Sequence, residues 1–173
     1  AFSLQSSAGE YNLFNANLGG YYQTGNKFIS AGLLTNNTNG QPQRGTRGYL
    51  NNHTASLSIS HFLDDHWKIS LRSAYDKRDF SAQNFYTSFA SDTANEEVSS
   101  LWNQLQIQYK GLKNLWTIDL GYKNVNDHYR YNPASAANDN KSQLWQSLIK
   151  NERKIDDKTA MTFGVQFINK KIS

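Results

Sequence analysis

A strict two-residue alternation between Asn52 and Tyr75 constrains this chain more than any other feature. Before the polar turn Asp64-Asp65-His66, Ala55, Leu57, Ile59 and Leu63 share one side, and Thr54, Ser56, Ser58 and Ser60 share the other. After it, Trp67, Ile69, Leu71 and Tyr75 oppose Lys68, Ser70, Arg72 and Asp76. Successive side chains on a strand point to opposite faces, so the stretch predicts an antiparallel hairpin with one apolar and one polar face. A soluble sandwich turns such a polar face to water. A membrane barrel turns its apolar face to lipid and its polar face to a wet lumen.

Composition narrows the choice. The 173 residues suffice for one domain with a core. No stretch approaches the ~20 consecutive apolar residues of a membrane-spanning helix, which leaves a membrane barrel open because its strands are only half apolar. The chain has no cysteine, so disulfide frameworks and thiolate metal sites are excluded. Its 2 prolines suit long uninterrupted strands. The net charge of +4 comes from scattered Lys and Arg, so no nucleic-acid partner is expected. The opening AFSLQSSAGEYN is already strand-like and has no leader pattern. It predicts a processed start or an internal piece of a longer chain.

The same alternation recurs along the chain. Phe2 and Leu4 begin it, and Ala8-Gly9-Glu10 turns. A second strand, about Tyr11 to Gln23, puts Phe14, Ala16, Leu18, Gly20 and Tyr22 on one face. Thr24-Gly25-Asn26 turns, and Lys27 to Thr35 aligns Ile29, Ala31 and Leu33. A polar loop over 36–51 leads into the hairpin, and a second long loop follows over 76–98. Leu101 to Lys110 aligns Leu105, Ile107 and Tyr109. Gly111-Leu112-Lys113-Asn114 turns, and Trp116, Ile118, Leu120 and Tyr122 align beyond it. A third long loop covers 124–142. Gln143 to Arg153 is the least regular strand, and Met161, Phe163, Val165 and Phe167 align on the last.

From the second strand onward the connections alternate short and long. That is the pattern of outer-membrane barrels, with short periplasmic turns and longer extracellular loops. Tyr22, Trp67, Tyr109 and Trp116 lie on apolar faces beside the short turns, and Tyr75 and Tyr122 lie on the same faces at the opposite ends. Two aromatic girdles at a water boundary have this arrangement. His53 and His61 fall on the same apolar face, and His61 runs against the assignment. The expectation is an all-β, antiparallel up-and-down meander of about nine strands, a partial transmembrane β-barrel forming a single domain fragment over 1–173. Bacterial barrels of one chain close with an even number of strands. The first and last strands are therefore expected to be open edges.

Two runs carry a family resemblance. The opening SLQSSAGEYNLFNANLGG, and the run from Asp76 that reads DKRDFSAQNFYTSFASDTANEEVSSLWNQ, resemble the barrel domain of Bacteroidetes-type TonB-dependent receptors. The resemblance implies the N-terminal part of a 22-stranded barrel in the bacterial outer membrane. It further implies a plug domain, a TonB box, coupling to the TonB complex, and energy-driven import of an iron chelate, haem, cobalamin or glycan. Neither plug nor TonB box lies in this sequence, so this piece alone is not expected to transport.

No catalytic constellation is present, neither GxSxG nor P-loop nor HExxH, so no enzymatic activity and no cofactor are expected. His53, His61, His66 and His128 lack ligand spacing. Asn138-Asp139-Asn140 has calcium-ligating residue types, but it also has the composition of a solvated loop. The candidate ligand-binding residues are the loop aromatics Tyr49, Phe85, Tyr86, Phe89, Tyr129 and Tyr131, with Phe80 beside them. They either form an outer platform for a small nutrient ligand or pack together to order the loops. Lys68, Arg72, Asp119 and Lys123 face the polar side, where they would line a lumen or contact the plug of the resembled family. Two rival readings share much of this pattern. One is a passive porin-type wall, and the other is a soluble all-β glycan-binding or adhesion module.

Overall fold

The computed structural model describes residues 1–43 and 46–173. In chain order its strands are β1 (Phe2–Gly9), β2 (Leu13–Thr24), β3 (Lys27–Thr38), β4 (Pro42–Gln43), β5 (Thr46–Arg47), β6 (Leu50–Phe62), β7 (Trp67–Ser81), β8 (Asn95–Lys110), β9 (Asn114–Arg130), β10 (Asn138–Lys154) and β11 (Ala160–Ile172). Nine of them form one open antiparallel sheet in the order β1-β2-β3-β6-β7-β8-β9-β10-β11. The pair β4 and β5 makes a small separate ribbon within a loop. Among the described residues there is no α-helix, only a single 3-10 turn at Glu10–Asn12. Every neighbour in the large sheet is also the next long strand in sequence, so the fold is a meander. β1 and β11 are its edges, each paired on one side only.

The connections sort by end. From β2 onward, residues 25–26, 63–66, 111–113 and 155–159 form the narrow end and 39–49, 82–94 and 131–137 the wide end, where the short β1–β2 bend at Glu10–Asn12 also lies. Two narrow turns share one device. The Asp64 carboxylate accepts the amides of His66 and Trp67 at 2.7 and 2.8 Å, and Asp156 accepts those of Lys158 and Thr159, both at 2.8 Å. These donors hold both carboxyls below their ordinary pKa, because they favour the charged form.

The wide-end loops are shorter than the sequence suggests. β7 continues through Asp76 to Ser81 and β8 starts at Asn95, so the loop expected over 76–98 shrinks to 82–94. β9 runs on to Arg130 and β10 begins at Asn138, so the loop expected over 124–142 shrinks to 131–137. Phe80 and Tyr129 are therefore strand residues. Asn138-Asp139-Asn140 lies on β10, where alternate side chains diverge and cannot converge on one ion. The expected loop over 36–51 reduces to 39–49 and contains the β4–β5 ribbon. Tyr11 is not in a strand either. Both Tyr11 and Asn12 have φ of 56°, a left-handed pair at the bend between β1 and β2.

Two chemically distinct faces span the sheet. Register aligns Ile29, Ile59, Leu71, Leu105 and Leu120 in one row, and Ile69, Ile107, Ile118, Ile149 and Val165 in the next. Toward the narrow end the row is Trp67, Tyr109, Trp116, Asn151 and Phe163. The Trp116 and Phe163 rings meet edge to face at 6.1 Å, and Asn151, their neighbour on either side, is buried. This asparagine, with Leu144 and Leu148 on the opposite face, explains the irregular pattern of β10. His61 stays on the apolar face between Lys27 and Ile69, its Nδ1 enclosed without a partner.

Burial is inverted relative to a water-soluble sheet. Among the described residues, the only fully buried apolar side chains are Ala82 and Ala94. On the polar face Ser70 and Thr117 are 2% and 4% exposed, whereas Leu71 and Leu120 on the apolar face are 46% and 47% exposed. Each large apolar side chain left in water forgoes about 1.5–3 kcal/mol. The apolar face reaches both edges undiminished, through Phe2 and Leu4 on β1 and Phe163, Val165 and Phe167 on β11.

The apolar band does not follow the register. Leu18 is the middle of the run Phe14 to Tyr22 on β2. Traced ladder by ladder, its level passes through Leu33, Ala55, Tyr75, Leu101, Asn124 and Gln143 to Lys171. On β11 the apolar run, Met161 to Phe167, lies well toward the narrow end of that level.

Candidate functional site

The wide end gathers the aromatic candidates around loop 82–94. Its base is closed by the Ala82 amide on the Ala94 carbonyl at 2.9 Å. Asp92, completely buried, organises the interior. One of its oxygens accepts the Asn84 amide and the Thr87 hydroxyl, both at 3.0 Å, and the other accepts the Ala94 amide at 3.0 Å. Asn84 takes a left-handed φ of 64° in this turn, a conformation asparagine tolerates better than most residues.

Neighbouring loops are stitched to this one. The Thr46 hydroxyl donates to Gln83 at 3.1 Å, and the Ser81 amide donates to the Tyr49 carbonyl at 3.0 Å. On the other side the Thr93 amide reaches the Tyr131 carbonyl at 3.3 Å, and Ser91 and Tyr131 hydroxyls share a 2.8 Å bond. In loop 39–49, Gly40 has φ of 61°, and a side chain there would meet the Gly48 carbonyl.

On this scaffold Phe85, Tyr86 and Phe89 remain 65%, 64% and 69% exposed. Phe85 leans on Phe80 with ring centres 5.8 Å apart, and Tyr86 meets Tyr129 edge to face at 5.0 Å. The Tyr86 hydroxyl donates to Glu96 at 3.1 Å. Partial burial first, and then this carboxylate, keep its pKa above the ordinary tyrosine value. Tyr49 is different: its hydroxyl donates to Asp79 at 2.8 Å. Burial, with Asp79 beside it, pushes its pKa up to about 12. The structure thus forms two separate ring pairs, Phe85 with Phe80 and Tyr86 with Tyr129, ties Tyr131 to loop 82–94 by hydrogen bonds, carries Phe89 exposed on the same loop, and uses Tyr49 as a tether.

The polar face joins only some of the other candidates. Gln104 and Gln106 both donate to Asp119 at 2.9 Å, and Arg72 donates to Gln104 at 3.5 Å. Arg72 and Asp119 are thereby linked through glutamines on β8. Lys68 sits 5.3 Å over the Phe62 ring, and Lys123 has Trp102 and Leu144 as its register neighbours. Sequence reading missed Gln104 and Gln106 as connectors, although their Gln-x-Gln spacing places both on the polar face. It also missed Asp92, whose role depends on a loop closure that no local pattern records. His53 shares a 3.0 Å bond with Thr35, and His128 shares one of 2.6 Å with Asp139.

Neither a family model nor a curated protein matches this sequence.

Proposed function

We propose that this chain is part of the wall of an outer-membrane β-barrel of the TonB-dependent receptor type. In this reading the narrow turns face the periplasm, and the wide loops hold a scarce nutrient complex at the cell surface. The ligand is of the iron-chelate, haem or cobalamin class. Uptake is driven through a plug and the TonB complex, and the two open edges pair with further strands of the wall.

The observation that carries the reading is the inverted burial, with enclosed serine and threonine on one face and exposed leucine on the other. Lipid removes the cost of that exposure, and a closed wall satisfies the edge strands. The aromatic row Trp67, Tyr109, Trp116 at the narrow side of the band and the sorting of connections by end from β2 onward support it further. Loop 82–94, hydrogen-bonded from within and presenting three exposed rings, supports a ligand platform, since large aromatic surfaces lose few rotamers on binding. A passive channel shares this wall and differs in lacking energy coupling. A soluble adhesion module needs a second layer over the whole apolar face.

Sided labelling tests it. Single cysteines placed in the full-length protein at Gln41, Ala90 and Ala134 should react with an impermeant thiol reagent on intact cells. Those at Asp65, Leu112 and Lys158 should react only after the outer membrane is opened. Equal labelling of Asp65 and Ala90 positions on whole cells rejects the assignment.

A further inference from the structure

The polar face buries a carboxyl beside loop 82–94. Glu96, near the start of β8 and beyond the apolar band, is 8% exposed. Register places it between Phe80 on β7 and Tyr129 on β9. The next level of the same face holds Arg78, Val98 and Asp127. Glu96 and Asp127 are therefore diagonal neighbours on paired strands, a spacing that long side chains bridge.

One oxygen of Glu96 accepts the Tyr86 hydroxyl at 3.1 Å. Oδ1 of Asp127 is enclosed and has no donor among the described residues. A buried carboxylate oxygen without a donor is costly. The groups around it are otherwise engaged or neutral. Arg78 bonds Asp76 at 3.0 Å, and Tyr129 meets Tyr86 edge to face. In the loop, Asp92 accepts donors of its own turn. On β10, Asn140 stands opposite Asp127 and carries no charge. One donor remains, a proton on Glu96 itself. Burial raises the Glu96 pKa most. Asp127 raises it further, by its charge and by a hydrogen bond, against the opposing pull of the Tyr86 hydroxyl and Arg78.

We propose that Glu96 and Asp127 share one proton, donated by Glu96 to Asp127 Oδ1, and that this proton latches loop 82–94 to the end of β9. Tyr86 completes the latch, with its hydroxyl on Glu96 and its ring against Tyr129. Raising the pH releases the proton to water and leaves two carboxylates side by side. They repel, and one of them swings out. The chain from Tyr86 through Glu96 to Asp127 then breaks, and the exposed rings of the loop lose their fixed position. A carboxyl with a raised folded pKa holds its proton more tightly in the folded state. The latch is therefore complete below the ordinary Glu value and is lost as pH rises through the raised one.

Amide hydrogen exchange over 82–94 tests this in the intact protein, with rates corrected for their intrinsic pH dependence. Protection should fall at least about tenfold as Glu96 titrates, the factor that one pKa unit of coupling carries. In Glu96→Gln an amide donor replaces the shared proton, and protection should no longer respond to pH over this range. Asp127→Asn removes the neighbouring charge and should move the midpoint to lower pH. Infrared spectroscopy follows the proton directly. A protonated carboxyl band should persist above the pH at which exposed carboxyls have ionised, and Glu96→Gln should remove it. An unchanged pH response in Glu96→Gln, an unshifted midpoint in Asp127→Asn, or no late band in the wild type each overturns the shared proton. A late band with no change in loop protection overturns the latch. Should a variant fail to fold, the wild-type band and protection profile still decide. None of these readouts involves sidedness or insertion, so their failure leaves the barrel reading untouched.

Discussion

Tyr49 shows how a single residue can be legible in kind and misread in role. Its ring in a polar loop marks it as a recognition candidate, yet its hydroxyl is committed to Asp79. Its folded pKa is raised to about 12, so the stabilisation from this bond is complete below the ordinary tyrosine value. It is lost as pH rises through about 12. In an ultraviolet titration of the folded protein, Tyr49 should be among the tyrosines that ionise late, and Tyr49→Phe should remove one equivalent from the late step. The substitution should cost about 1 kcal/mol, the usual worth of such a hydrogen bond. Phe85, Tyr86 and Phe89 behave otherwise, because Asp92 fixes their loop from within. Changing all three to Ala should weaken ligand binding at least tenfold, about 1.4 kcal/mol, with assembly intact. Failed assembly would mean that the rings hold the loop together. Unchanged affinity would place recognition elsewhere. Asp92→Ala should do the opposite of the triple change, loosening the loop while sparing the rings.

At the scale of elements, the strands were readable where their two faces differ and unreadable where they do not. Alternation identifies β6 and β7 from Asn52 to Tyr75 because apolar and polar residues take turns there, and misses Leu50 and Asn51 at the start of β6. Beyond Tyr75 the ladder continues through Asp76, Lys77, Arg78 and Asp79, paired with β6 and β8, although both faces are now polar. The same happens in β9 from Asn124 to Arg130. Hydropathy reports the medium on each face, whereas hydrogen bonding extends the strand regardless of it. The face assignment itself makes a sharp prediction. Leu57→Arg and Leu71→Arg should impair membrane assembly, by about 2–4 kcal/mol if they lie near the bilayer midplane. Ser56→Arg, adjacent in sequence and exposed on the opposite face, should assemble normally. Folded, heat-resistant protein on a gel is the readout, and equal damage from Ser56→Arg and Leu57→Arg would sink the register. Ser70 and Thr117 are poor controls despite their polar face, because both are enclosed by their neighbours.

For the molecule as a whole, the number of strands, their order and their two faces all followed from period and spacing. The tethering of the loops did not, because it joins residues distant in sequence. One further property comes from the mismatch between register and apolar band. The band slips by about seven residues over seven strand-to-strand steps. At ~3.4 Å per residue and ~4.8 Å per strand, that is a lean of roughly 35°, at the low end of the ~35–45° tilt of outer-membrane strands. In the proposed membrane setting, hydrogen-bonded partners would therefore lie at different depths. Ala31 and Asn169 occupy one continuous register row, yet Ala31 is mid-band and Asn169 lies past its edge. Nitroxide labels at these two sites in lipid should report a buried and a shallow position, and equal depths would mean the strands stand upright. If the sheet spans a bilayer, a row of paired residues is then a staircase across it: a solute moving along the row would pass from oil to water without ever leaving the same line of hydrogen bonds.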